Sequence, residues 1–356
     1  MSEHFFQLLR YSIGAVDEFP EDISSEEWGE IHEMALRQSL LGVIFYGIQK
    51  KSSARPERKL LLQWYALNER IRQRNQQLNQ VAVDLSGFFL KEGFRTCILK
   101  GQGNTLNYPE PYIRTSGDID IWVDGGTTVV LAFVRKMFSC SKAIYHHVDV
   151  GKYKGVEVEV HYRPSFMNNL FCDYRMQRWF EQVSKEQFSH QVELPDGAGR
   201  ICVPTHAFNR IYQMAHINNH VIHEGIGLRQ LVDYYFVLKQ GFTEEERVED
   251  EMLLRKFGLY KVASAVMYVL RVVLHLEDEL MIVPADERLG RFLLDEIMLA
   301  GNFGHYDDRV RHDGSRLAKN IQRMRRDMRL VWYFPSECLW EPVFRIYHFF
   351  WRLRHK

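Results

Sequence analysis

ILKGQGNTLNYPEPYIRTSGDIDIWV, residues 98–123, sets two acids where a strand ought to be apolar. They are Asp118 and Asp120, in SGDIDIWV. Their neighbours Ile119, Ile121, Trp122 and Val123 are β-formers. A strand sends alternate side chains to opposite faces, so the two aspartates share one face, about 6.6 Å apart at Cα. Ile119, Ile121 and Val123 point the other way, into a core. Two acids on one face of an apolar strand are costly to bury unless a cation neutralises them. A hard divalent ion that takes carboxylate oxygens, such as Mg²⁺ or Mn²⁺, is the natural partner.

A two-metal site needs a third acid, and VEVEVHY (156–162) offers one. Val156, Val158 and Val160 line one face; Glu157, Glu159 and His161 line the other. If this strand lies beside the aspartate strand, a carboxylate comes within about 5 Å of the pair. Metals about 3.5–4 Å apart fit such a set. Glu159 is preferred to Glu157 because it sits deeper in the strand, away from the turn. His161 reads as a hydrogen-bonded packing residue. Lys100 and Gly101 end the strand FRTCIL: a glycine there lets the backbone approach a phosphate, and Gly103 adds freedom. Lys100 supplies a point charge and Arg114 a planar fork for phosphate oxygens.

Outside this stretch the chain divides by pattern. Residues 1–92 read as helical, with Ser24 or Ser25 capping one helix that runs through Trp28 to Leu41. A polar connector, residues 51–58, leads to a long helix whose NERIRQRNQQLNQ middle reads as a solvated face. Residues 93–204 read as a small α/β core. It holds the two strands above, a helix at TTVVLAFVRKMF, a hairpin of AIYHHVDV and VEVEVHY around a five-residue GKYKG turn, and a second hairpin at QVELPDGAGRICVP. Residues 205–356 are helical again, Thr205 capping the first of these helices. The expected fold class is α+β: a small mixed sheet flanked by helical N- and C-terminal regions.

Composition narrows the function classes. Lys and Arg total 46, as do Asp and Glu, so the net charge is zero and gives no whole-chain argument for nucleic acid. The five cysteines are widely spaced without CxxC, which argues for free thiols in a reducing compartment. The N-terminus does not read as a signal peptide, and no apolar run reaches the ~18 residues of a membrane span. A cytoplasmic protein without membrane contact is expected. The terminal arginines Arg323, Arg325, Arg326, Arg329, Arg345, Arg352 and Arg354 alternate with aromatics. That pattern fits a nucleic-acid surface, but a helix packed by its aromatics and solvated by its arginines is preferred.

The set LKG (99–101), R-x-x-G-D-I-D (114–120) and E-V-H (159–161) resembles the nucleotidyltransferase superfamily of the DNA polymerase β type. More narrowly it resembles the uncharacterised nucleotidyltransferase family common in bacteria, over roughly residues 25–310. His216–Asp233 and Gly301–Gly304 look like that family's tail. The resemblance implies transfer of a nucleoside monophosphate from an NTP, ATP being the first choice, to an acceptor the family does not identify. Asp118, Asp120 and Glu159 would hold the metal; Lys100, Gly101, Arg114, Gly117, Arg229 and Asp233 would line the nucleotide site. Gln102 stands where a serine is usual, and the gap from Gly101 to Asp118 is longer than in most polymerase-like members. A degenerate fold acting as a nucleotide- or protein-binding module is the alternative. Arg229 and Asp233, at i and i+4, also read as a plain intrahelical ion pair. His216, His220 and His223, with Glu224, have zinc-compatible spacing on one helix face and define a third, zinc-hydrolase reading, although one of them facing a cleft while the others pack is preferred.

Overall fold

The computed structural model describes residues 3–51, 55–307, 309 and 316–355, with side chains in the last range from residue 320 onward. Residues 52–54 of the polar connector lie outside these. Three helices open the chain: α1 (Glu3–Ile13), α2 (Ser25–Arg37) and α3 (Leu41–Lys50). The long α4 (Arg58–Lys91) follows. The middle region comprises β1 (Thr96–Leu99), a short α5 (Gly101–Thr105), β2 (Ile119–Val123), α6 (Gly126–Met137), β3 (His147–Tyr153), β4 (Val156–His161), α7 (Leu170–Gln187), β5 (Gln191–Leu194) and β6 (Gly199–Cys202). Helices complete the chain: α8 (His206–His223), α9 (Leu228–Leu238), α10 (Glu244–Lys256), α11 (Tyr260–Leu274), α12 (Glu287–Ala300), α13 (Arg316–Leu330) and α14 (Pro335–Arg354). The chain is α+β, as its pattern indicates.

The sheet runs β1-β2-β4-β3 and is mixed: β2 is antiparallel to β1 and parallel to β4, and β3 closes the other side antiparallel to β4. Its valines and isoleucines pack with Val130, Leu131 and Val134 of α6 and with Leu78, Val81, Ala82, Leu85 and Phe89 of α4. A second core gathers α1 to α3, the first part of α4 and most of α8 to α12 into one helical body. The apolar cores thus join both ends of the chain, whereas the pattern along the sequence changes at residues 92 and 204.

Several local expectations are corrected. The run from Trp28 to Ile48 is two helices, because Ser39 adopts φ +55° and breaks the first at Gln38. Ser24 is its N-cap, in a capping box with Glu27. The hairpin turn is shorter than GKYKG: Lys154 and Gly155 both take positive φ, 50° and 81°, the geometry of a two-residue type I′ turn, while Gly151 falls at an irregularity in the β3–β4 ladder. The polar face of α4 is not simply solvated. Asn75 is buried and donates to the carbonyls of Tyr112 (3.3 Å) and Arg114 (2.8 Å). Asn79, also buried, accepts from Gln102.

α14 is anchored by a buried acid. Glu337 accepts from the backbone N–H groups of Asn168 (2.7 Å) and Asn169 (3.4 Å). Burial outweighs those donors and pushes its carboxyl up to about 7. The folded chain therefore holds this proton more tightly than the unfolded one. The resulting stability is complete below the ordinary glutamate range and lost as pH rises through about 7. Wild type is expected to lose about 3 kcal/mol relative to Glu337→Gln between pH 4 and pH 8.5, read from urea denaturation at both pH values. Parallel pH dependence of the two proteins would contradict it.

Candidate functional site

The parallel pairing of β2 and β4 sets Asp120 opposite Glu159. The antiparallel pairing of β1 with β2 sets Leu99 opposite Asp120, so Lys100 emerges beside it. Four charged side chains consequently meet. Lys100 Nζ lies 3.1 Å from Asp120 Oδ1. His161 Nε2 donates to the same oxygen at 2.9 Å and lies 3.3 Å from Glu159 Oε2. Glu157 stays exposed, and it is Glu159 that reaches the cleft.

Electrostatics follow from this packing. Burial alone would raise the Asp120 pKa, but the Lys100 ammonium and the His161 hydrogen bond overcome it and hold the carboxyl well below its usual range. Burial opposes charge on His161, yet its bonds to Asp120 and Glu159 prevail and push it up to about 9. Asp118, just before β2, is exposed to the cleft. Partial desolvation and the neighbouring Asp120 charge raise its pKa.

These residues form one wall of a cavity of about 320 Å³. The opposite wall comes from α8 and α9 and includes His216, His220, His223, Glu224, Arg229 and Asp233. All three α8 histidines line the cavity, where one was expected. His216 and His220 meet Nε2 to Nε2 at 3.0 Å, and His220 Nδ1 lies 3.2 Å from Glu224. Burial first, then the Lys100 cation, lowers the His216 pKa well below the usual value. Among the described residues, no cluster of ligand atoms unites His216, His220 and His223, so the helical zinc trio is not assembled.

The other expected residues divide. Lys100, Gly101, Arg114, Arg229 and Asp233 line the cavity; Gly117 does not, and its carbonyl accepts from Arg74 at 2.7 Å. The expected Arg229–Asp233 ion pair is replaced. Asp233 binds Arg114 through two bonds, Nε to Oδ1 at 2.7 Å and Nη2 to Oδ2 at 2.8 Å, and accepts from Tyr108. Arg229 instead donates to the Thr115 carbonyl at 2.7 Å, while its Nε is buried without a partner. The 112–117 loop is therefore held from both sides, by Asn75 and Arg74 of α4 and by α9. Gly103 serves packing rather than freedom near a phosphate: a Cβ there would come within 2.9 Å of Val203. Of the terminal arginines, Arg326 donates to the His223 and Glu224 carbonyls. Arg329 pairs with Glu296, and Arg323 and Arg345 both lie 3.7 Å from Glu341.

The donors suit a divalent cation. Asp120, Glu159 and His161 place one ligand atom each within 4.8 Å of one another, and Asp118 lines the same cavity outside that cluster. His146 and His147 are the residues that the sequence reading missed. His147 is the cross-strand partner of His161, so the HH at the start of one strand of the hairpin and the E-V-H of the other were the available signal.

The family model described as "Uncharacterised nucleotidyltransferase" matches residues 24–276. No curated protein matches the chain. Among solved structures, the chain is similar to an antigenic nucleotidyltransferase-like protein from Paracoccidioides brasiliensis, at 13% identity and a TM-score of 0.31, over 56% of this chain and 96% of that one. No helix among the described residues is long and apolar enough to cross a membrane.

Proposed function

Since the chain belongs to the uncharacterised nucleotidyltransferase family, we propose that it transfers a nucleoside monophosphate from an NTP, ATP first among the candidates, to an acceptor hydroxyl. The observation that carries this reading is the register that sets Asp120 beside Glu159, with Asp118 exposed to the same cleft. Asp118, Asp120 and Glu159 would hold Mg²⁺ or Mn²⁺. When bound, the ion neutralises the triphosphate and offers Lewis-acid contacts to the reacting oxygens. The acceptor oxygen bonds to the α-phosphorus, the bond from that phosphorus to the bridging oxygen breaks, and pyrophosphate leaves. One of these carboxylates takes the acceptor's proton. Lys100 and Arg229 supply positive charge to the phosphates from opposite walls. Arg114 and Asp233, bonded to each other, act by holding the 112–117 loop.

Two substitutions on one strand test the assignment. Glu159→Gln is expected to slow pyrophosphate release by roughly 10²–10³-fold, and Glu157→Gln to leave it near wild type. Equal effects would sink the choice of third acid.

A second reading, a degenerate nucleotide-binding module, is favoured by one feature: Lys100 and His161 already neutralise Asp120 and Glu159. Nucleotide binding that needs Mg²⁺, seen as a thermal shift, supports the enzyme; nucleotide binding indifferent to Mg²⁺, with no pyrophosphate released, supports the module. Following labelled NTP into a cell extract identifies the acceptor.

A further inference from the structure

Beside the carboxylates stand three histidines, His146, His147 and His161, each offering one nitrogen within 4.8 Å of the other two. We propose that this trio is a binding site for a borderline transition-metal dication, Zn²⁺ in the first instance, adjoining the carboxylate position at Asp118 and Asp120 and sharing Glu159 with it.

Three observations converge on it. First, the spacing suits shared ligation. His146 Nε2 and His147 Nδ1 are 3.0 Å apart. Two nitrogens on one tetrahedral Zn²⁺, each at 2.0–2.1 Å, lie about 3.3 Å apart. Second, two of the three far nitrogens are already held in the way metal-bound imidazoles are held. His147 Nε2 lies 3.2 Å from Asp149 Oδ1, and His161 Nδ1 donates to the Arg163 carbonyl at 3.3 Å. A carboxylate or backbone carbonyl behind a ligating histidine fixes which nitrogen faces the ion. His146 turns Nε2 toward His147 and buries Nδ1 without a partner. Third, a further donor is within reach: Glu159 Oε2 is 3.4 Å from His147 Nδ1 and 3.3 Å from His161 Nε2.

Donor chemistry separates the two positions. Imidazole nitrogens suit zinc and its neighbours, whereas Mg²⁺ demands oxygen and retains its water. The backbone explains how consecutive histidines converge. Neighbours within a regular strand face opposite ways, but His146 precedes the first residue of β3 and escapes the alternation.

The full chain, purified without a histidine tag and with no nucleotide present, is titrated with Zn²⁺ by calorimetry and with Co²⁺ for its visible absorption. Wild type is expected to take up about one ion per chain, with the strong visible bands of a nitrogen-rich, low-coordinate Co²⁺ site. His146→Ala and His147→Ala are expected to weaken Zn²⁺ binding about a hundredfold. Asp149→Asn, at an exposed carboxylate that backs His147 and accepts from Ser141, should weaken it about tenfold. Asp118→Asn should bind as wild type does. The proposal is overturned if the well-folded wild type takes up no Zn²⁺, or if the histidine variants bind it undiminished. It is equally overturned if Asp118→Asn loses as much as His147→Ala, which would place the zinc at the carboxylates. Because the readout uses no NTP, its failure and that of the transfer reaction remain distinguishable.

Discussion

Asp120→Asn is expected to abolish NTP turnover, lowering pyrophosphate release by roughly 10³-fold or more, while the chain stays folded. Asp120 is 5% exposed and meets Lys100 and His161 at hydrogen-bond distance. Its place in β2 sets it opposite both Glu159 and Leu99, the last residue of β1. Asparagine keeps the shape and removes the charge. The fold tolerates this because the two cations left behind are not trapped: His161 can shed its proton, and Lys100 lines the open cleft. Circular dichroism and thermal melting should match wild type while turnover disappears. Pyrophosphate released by the variant at the wild-type rate would remove the assignment altogether.

The opposite profile is expected from the Arg114–Asp233 pair. Both side chains are about 6% exposed and bonded twice over. An arginine cannot neutralise itself by losing a proton. Removing one partner therefore strands a buried charge, which typically costs 3–5 kcal/mol. Asp233→Ala and Arg114→Ala should each be destabilised by about that amount in chemical denaturation. Arg114→Met combined with Asp233→Leu should recover much of it, since a buried pair replaced by apolar groups is often neutral. If the single variants melt as wild type does, the clamp on the 112–117 loop is not structural.

The aspartate strand and its glutamate neighbour were legible because strand alternation admits only two faces, and a one-residue slip would have put Ile119 and Val158 in water. Alternation puts Glu157 on the same face as Glu159, so only distance from the turn could separate the two. Other features had no local signal. The partner of Arg114 lies on α9, more than a hundred residues along the chain, and Asp233 had a nearer arginine, Arg229, at helical spacing. The asparagines of α4 recur at an interval that a solvated face and a face bonded to a loop would share. Ser39 and Lys154 adopt positive φ without being glycine, so nothing in their chemistry marks the break or the tight turn. His146 and His147 looked unpromising because consecutive strand residues diverge.

α4 supplies Trp64 to one core and Leu78, Val81, Ala82, Leu85 and Phe89 to the other. At 34 residues it is a rod about 50 Å long, and it contains no proline at which to flex. The helical body and the sheet are thus mounted on a common axle. They cannot swing apart like jaws when nucleotide arrives, nor can the sheet be lifted out with a cut at residue 92 without losing one wall of its interior. Admission and closure then fall to the shorter segments around the cleft.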